Sequence, residues 1–176
     1  VTELGLRGTT PRFASSGELL YVAAEGTLFA ADFDLRSRAV TGRPLVLQQG
    51  VALGTGGAAA HDVSTTGTLA FVTGNTLMTG VDQSTLVAVD RTGRKRSLGL
   101  DPSYFTNPRI SPNGQQVVFS IRPGANAFEG FESDVWRLDL ASSSLLRVTT
   151  DGNSDRGIFA RDGSRIFFSP GNDSLG

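Results

Sequence analysis

Residues 107–121, NPRISPNGQQVVFSI, decide the fold of this chain. A short apolar run ends at Ile110, a Ser-Pro-Asn-Gly turn follows, and a β-branched and aromatic run begins at Val117. Glycine at the end of such a turn permits the positive φ that a tight hairpin often requires. The stretch therefore predicts two antiparallel strands joined by a short turn.

The same pattern recurs along the chain, which indicates a repeat protein. Its turn glycines are Gly17, Gly67, Gly114 and Gly163, and successive ones lie 50, 47 and 49 positions apart. Each period carries further strand signals, and no long stretch has helical periodicity. Units of four short strands over roughly 40 to 50 residues are typical of β-propeller blades. The predicted fold class is all-β, a β-propeller of four-stranded antiparallel blades.

The chain is expected to form one domain with about three complete blades and two partial ones. The complete blades are expected at residues 11–50, 58–100 and 107–150. The partial ones are an outer strand within residues 1–10 and the first two strands of a further blade at residues 157–169, before a tail at 170–176. Because single-chain propellers usually close with about four to eight blades, these units do not complete a ring.

Composition excludes several classes of function. Among 176 residues, 16 are Lys or Arg and 17 are Asp or Glu, giving a net charge of −1. The chain therefore lacks the positive charge of a general nucleic-acid binder. It contains no Cys, which excludes disulfide bonds. No apolar run approaches the roughly 20 residues that span a bilayer, and the first residues do not read as a signal peptide. We expect neither nucleic-acid binding nor membrane insertion.

The third unit, residues 107–140, resembles the repeat of TolB-like bacterial propellers, also called WD40-like or PD40, which reads PxxSPDGxxIxFxS…DIWxxDL. Residues 11–50 and 61–90 resemble, more narrowly, the propellers that follow some bacterial serine/threonine kinases, where a blade reading GTLFAxxFDLxxxxxTGxPxxL is typical. Asn113 replaces the usual Asp, and Ala160 with Arg161 replaces the usual Ser-Pro in the last copy. The resemblance covers nearly the whole chain. It implies a propeller that serves as a binding or sensor module, and an extracytoplasmic location.

The sequence offers no catalytic centre. Its single histidine, His61, precedes Asp62 in a predicted strand, where adjacent side chains point to opposite faces. Asp62 is therefore badly placed to orient His61 as in a serine hydrolase triad, and no G-x-S-x-G motif occurs. Acidic residues lie in turns without the ligand spacing of a known calcium loop. We expect no catalytic residue, no metal site and no cofactor.

Binding residues are expected where the longest loops gather on one face of the propeller. The loops before and after the third blade's inner strands carry several aromatic residues. The predicted partner or ligand surface consists of Tyr104, Phe105, Phe128, Phe131 and Arg156. In the alternative interpretation, the rings fill the space between neighbouring blades.

The predicted role is a non-catalytic scaffold for recognition of an unidentified protein or small ligand, as the sensor part of a larger signalling protein. One alternative is a homodimer, in which a strand from Thr2 to Arg7 adds to the edge of the strands between Ile158 and Ser169 in a second copy. Two chains would then close a ring of about eight blades. Another alternative is the propeller gate of a prolyl-oligopeptidase-type peptidase, whose catalytic domain would lie elsewhere.

Overall fold

The computed structural model describes residues 3–54, 57–74, 83–90, 92–122 and 132–170. These residues form fifteen β-strands in four antiparallel sheets and contain no helix. None of them forms a helix long and apolar enough to cross a membrane. The prediction of an all-β chain of four-stranded antiparallel units is confirmed.

Each sheet is an antiparallel meander, and in the first sheet the last two strands both pair with the third. The first sheet contains β1 (Thr9–Phe13), β2 (Glu18–Val22) and β3 (Leu28–Asp34), with β4 (Ala39–Val40) and β5 (Leu45–Gln48) both paired to β3. The second contains β6 (His61–Val63), β7 (Leu69–Thr73), β8 (Thr85–Val89) and β9 (Lys95–Ser97). The third contains β10 (Tyr104–Ile110), β11 (Gln116–Arg122), β12 (Asp134–Asp139) and β13 (Leu145–Arg147), and the fourth contains β14 (Ser154–Phe159) and β15 (Ile166–Pro170).

The turn glycines occupy the conformation that the repeat predicts. In all four hairpins between the first and second strands, the glycine has a positive φ, between 73° and 106°. At Gly114 a side chain would meet a second obstacle, because a Cβ there would overlap the Thr66 hydroxyl of the preceding sheet. Glycine is therefore required both for the backbone conformation and for the close approach of neighbouring hairpins.

Apolar side chains fill the space between successive sheets. One buried cluster joins the first and second sheets and includes Leu20, Val22 and Phe71. A second cluster joins the second and third sheets and includes Val72 and Phe119. Because each sheet buries side chains against its neighbours, the four sheets are mutually dependent for their stability.

Close packing also seats the fourth sheet on the third. A Cβ at Gly157 in β14 would lie 2.8 Å from methyl groups of both Val118 and Val135. The absence of a side chain there lets the backbone of β14 approach the third sheet closely.

The expected outer strand from Thr2 to Arg7 stays a prediction. Thr2 lies outside the described residues, and among those described, residues 3–8 form no strand. A strand requires a partner for its backbone groups, and none of the four described sheets supplies one there.

Candidate functional site

The first strand of each sheet lies on the side where the sheets converge. β1 contacts β6, β6 contacts β10, and β10 contacts β14. We call these four the axial strands. Because they meet while the outer strands diverge, their side chains are the ones that different sheets can bring together.

Three axial strands carry a β-bulge at the same point. The pairing register breaks after Thr9 in β1, after Thr106 in β10 and after Asp155 in β14. The residues at the breaks, which are Thr10, Asn107 and Arg156, have φ values of 51°, 50° and 58°. A positive φ is uncommon outside glycine, and bulges of this kind redirect the side chains that follow them.

Two bulge residues connect their sheet to the next one. The backbone N–H of Ala59 donates to the Thr10 hydroxyl over 2.8 Å. The Asn107 amide donates to the Asp155 carboxylate over 3.2 Å. These bonds stabilise two of the three bulges and connect the first sheet to the second and the third sheet to the fourth.

Charged residues occupy corresponding positions of three axial strands, β1, β6 and β10. Arg12, Asp62 and Arg109 pair in register with Leu20, Ala70 and Val118 of their second strands. The periodicity of the repeat therefore places these three side chains at the same level of three consecutive sheets. We call them the axial charge cluster.

Asp62 is the centre of the axial charge cluster. Its Oδ1 lies 3.1 Å from Nε of Arg12 in the first sheet, and its Oδ2 accepts the backbone N–H of Ile110 in the third sheet over 3.1 Å. The side chain of Asp62 is 15% exposed and that of Arg12 is 29% exposed. One carboxylate thus bonds to both neighbouring sheets from a largely buried position.

Arg109 has no carboxylate of its own. Its Nη1 donates to the carbonyl of Pro108 over 2.8 Å, and no acidic group in the described part of the chain lies within ion-pair distance. Burial lowers the pKa of Arg109, the charge of Arg12 lowers it further, and the charge of Asp62 opposes the change. The three groups are therefore close enough to interact electrostatically.

His61 lies on the opposite face of β6 from Asp62. It pairs with Phe71, which packs in the cluster between the first and second sheets. His61 is fully buried, and neither ring nitrogen has a hydrogen-bond partner among the described residues. Burial lowers its pKa to about 4, with smaller contributions from Arg12 and Arg109. A neutral, inaccessible imidazole cannot exchange a proton with a substrate.

A second set of polar contacts fixes the connections between sheets. Ser84 and Ser103 exchange backbone hydrogen bonds of 2.8 and 3.1 Å, and the hydroxyl of Ser133 donates to the Ser154 carbonyl over 2.8 Å. Buried Asp134 accepts from Thr149 over 2.9 Å, and also from Arg147 and from the N–H of Gly152. These bonds connect the second sheet to the third and the third sheet to the fourth.

The structure describes three of the five predicted binding residues. Phe105 is only 1% exposed and stands edge-on to Phe119 in the core, so its assignment to a loop surface is wrong. Tyr104 also lies in β10, partly buried, because β10 pairs with β11 as far as Arg122. Phe128 and Phe131 lie outside the described residues.

The fifth predicted residue, Arg156, occupies the bulge of β14, and its side chain is 75% exposed. It faces solvent, as a binding residue must, but the structure does not place it in the axial charge cluster. Its role in binding stays a prediction.

Sequence inspection missed the axial charge cluster, although a signal was present. Arg12 follows Pro11 and Arg109 follows Pro108, each just before a repeat turn. Alignment of the repeats would have placed Asp62 between them. Conversely, the prediction that His61 and Asp62 point to opposite faces agrees with the contacts that each one makes.

No group of three or more His, Cys, Asp or Glu side chains that could hold a metal ion occurs in the residues that the structure describes. Guanidinium groups with unused N–H donors can bind an anion.

No protein-family model matches this sequence. The structure is similar to TolB from Acinetobacter baumannii, with a TM-score of 0.66 and 19% identity over 94% of this chain and 38% of that one. It is also similar to a putative TolB from Agrobacterium tumefaciens, with a TM-score of 0.63 and 21% identity over 94% of this chain and 54% of that one.

A third similar structure is the Dos1 propeller, with a TM-score of 0.61 and 13% identity over 93% of this chain and 42% of that one. The chain thus spans between 38% and 54% of the length of these three structures. The similarity establishes a β-propeller fold.

Proposed function

We propose that this chain is a non-catalytic propeller scaffold that recognises a protein or small ligand on its axial strands. The observation that carries the proposal is the axial charge cluster. Arg12, Asp62 and Arg109 come from three different sheets, yet they meet at one level on the converging side. Loops and strand ends held by a rigid scaffold are where binding groups concentrate.

The state of His61 supports a role without catalysis. It is the only histidine of the chain, it is fully buried, and its pKa of about 4 keeps it neutral near neutral pH. Asp62 bonds to Arg12 and Ile110 on the other side of the strand. The pair therefore does not form the hydrogen-bonded relay that a hydrolase requires.

Selection of peptides from a phage-displayed random library on the immobilised chain tests the scaffold proposal. We expect selected peptides to shift the backbone amide resonances of β1, β6 and β10. Leu45 and Leu146 are exposed on the outer strands β5 and β13. Peptides that shift the amide resonances of these outer strands alone would contradict the axial location. Failure to select any peptide would contradict recognition of a protein.

Self-assembly is a second candidate, supported by two apolar end faces. Gly157 packs on the third sheet, so its neighbour Ile158 points away from that sheet, together with its cross-strand partner Phe167. These two side chains are 47% and 54% exposed. At the other end, Phe13 is 44% exposed. Its counterpart in the second sheet, Val63, packs toward the first sheet, so Phe13 faces away from the second.

We propose that a second copy of this chain covers both end faces, because one symmetric pair would bury Phe13, Ile158 and Phe167 at once. Residues 2–7 would then extend the free edge of β15. Light scattering of the purified chain should give a dimer, which Phe167→Glu should dissociate while Leu146→Glu on the exposed β13 should not. A well-folded wild-type monomer would contradict the assembly.

A sensor linked to a kinase and a gate linked to a peptidase both depend on neighbouring domains. Each role requires further coding sequence, which sequencing of the flanking gene would test directly. The extracytoplasmic location implied by the resemblance belongs to the same proposal. A fusion to alkaline phosphatase, which is active only after export, would test it in a bacterial host.

A further inference from the structure

The axial charge cluster carries a net charge of one positive unit. Arg12 and Arg109 contribute two guanidinium groups, while Asp62 contributes a single carboxylate. Each oxygen of that carboxylate accepts one hydrogen bond, Oδ1 from Arg12 and Oδ2 from the Ile110 N–H. Arg109 lies beyond ion-pair distance of Asp62, so the two groups attract each other only through space.

The unused donors belong to groups that are partly shielded from water. Arg12 uses Nε and Nη1, and Arg109 uses Nη1 alone, in hydrogen bonds with the described residues. Each guanidinium has five N–H donors in a fixed planar arrangement. A partly buried cation without a counter-ion is unfavourable, since it loses hydration without gaining a partner.

Both arginines are positioned before any ligand arrives. Nη1 of Arg12 donates to the Pro11 carbonyl over 3.1 Å, and Nη1 of Arg109 donates to the Pro108 carbonyl over 2.8 Å. The proline ring fixes φ at the residue that supplies each acceptor. Side chains held in this way lose less conformational entropy on binding.

We propose that Arg12 and Arg109 together bind a carboxylate of a peptide ligand, either its C-terminus or an acidic side chain. A guanidinium matches a carboxylate through parallel N–H···O bonds. The cluster carries a net charge of one positive unit, which a carboxylate neutralises, whereas a doubly charged phosphate would leave an excess negative charge beside Asp62. This inference rests on the proposed recognition role and specifies the chemistry of its ligand.

Resonances of the arginine Nε–H groups report on this site directly. The full chain, labelled with ¹⁵N, would be titrated with N-acetyl-pentaalanine carrying either a free carboxylate or a C-terminal amide. A third peptide, amidated and with a central aspartate, separates a side-chain source from a C-terminal source. We expect saturable shifts of the Arg12 and Arg109 Nε–H signals with the free acid, with the aspartate peptide, or with both. No shift with either acidic peptide, or an equal shift with the neutral amide, would overturn the inference.

Three variants distinguish a specific site from general attraction of anions. We expect Arg109→Gln to weaken binding of the responding acidic peptide at least tenfold, and Arg109→Lys to weaken it less, because Lys keeps the charge without the planar donors. Arg165→Gln, at an exposed arginine of the hairpin between β14 and β15, is the matched control and should leave the affinity unchanged. Equal losses in Arg109→Gln and Arg165→Gln would overturn the inference. If library-selected peptides still shift the axial amides while neither acidic peptide shifts Arg109, the recognition role stands and the carboxylate site is wrong.

Discussion

Nε of Arg12 lies 3.1 Å from Oδ1 of Asp62, fifty residues further along the chain, and this ion pair joins the axial strands of the first and second sheets. The other oxygen of Asp62 reaches the third sheet at Ile110. A single carboxylate therefore connects three sheets that have no covalent link at this level. The Asp62 carboxylate also balances one of the two arginine charges of the cluster, which leaves one positive charge available to a ligand.

Removal of the Asp62 carboxylate should destabilise the fold. Asp62→Ala leaves both the Arg12 guanidinium and the Ile110 N–H without their partner, and we expect a loss of about 2 kcal/mol in the free energy of unfolding. Asp62→Asn should lose less, because its amide oxygen can still accept the Ile110 N–H. Urea unfolding monitored by Trp136 fluorescence would measure both variants.

A second ion pair with the same geometry provides the control for Asp62. Arg94 Nε lies 3.1 Å from Oδ2 of Asp90, but the Arg94 side chain is 83% exposed. Double-mutant cycles should give a larger coupling energy for Arg12 with Asp62 than for Arg94 with Asp90, because solvent screens the exposed pair. Equal coupling energies would show that burial of the axial pair has no energetic consequence.

Acid should destabilise the protein through His61. The folded pKa is about 4, compared with 6.5 for an ordinary histidine, because burial disfavours the charged imidazole. The unfolded chain therefore binds the proton first as the pH falls below about 6.5, and the free energy of unfolding decreases until the pH reaches the folded pKa. The full loss below that pKa is about 3 kcal/mol.

The variant His61→Leu isolates this contribution. It removes the titrating group and two buried nitrogens that have no partner in the described part of the chain, so it should be more stable than the wild type at pH 5. The difference between the two proteins in urea midpoint should widen from pH 7 to pH 4. Parallel decreases in both proteins would assign the acid sensitivity to carboxylates instead.

Asp134 should contribute more to stability than a carboxylate at the other end of the same strand. It is buried and accepts hydrogen bonds from Thr149, Arg147 and Gly152. Asp134→Ala should lower the free energy of unfolding by about 3 kcal/mol, since buried donors lose their acceptor. Asp139, in β12 as well, bonds to Ser142 in an exposed turn, and Asp139→Ala should have a clearly smaller effect in the same urea assay.

Local patterns in the sequence predicted the hairpins because their causes are local. Gly114 and its counterparts adopt the positive φ that a tight turn needs, and the adjacent residues favour strands. The axial charge cluster was not predicted, because Arg12 meets Asp62 only after two sheets have packed together. The contact depends on the exact alignment of repeats fifty residues apart, which no single segment contains.

The length of β10 was underestimated for a related reason. Residues 101–106 contain Asp, Pro and Ser, and their composition favours a loop. Pairing of Tyr104 with Arg122 and of Phe105 with Ile121 extends the strand into this segment. Tertiary pairing thus overrides a local loop preference, and it moves Phe105 from the predicted surface into the core.

Two adjacent substitutions test this corrected position of Phe105. Phe105→Ala removes a fully buried ring that stands 5.4 Å from Phe119, and we expect a loss of about 3 to 4 kcal/mol in the free energy of unfolding. Tyr104→Ala is the matched control, because the neighbouring side chain is only partly buried and its removal leaves a smaller cavity. Thermal melts followed by circular dichroism, together with the urea midpoints, would measure the difference. If Phe105→Ala folded with wild-type stability and lost peptide binding instead, the ring would belong to the recognition surface, and the register of β10 with β11 would be wrong.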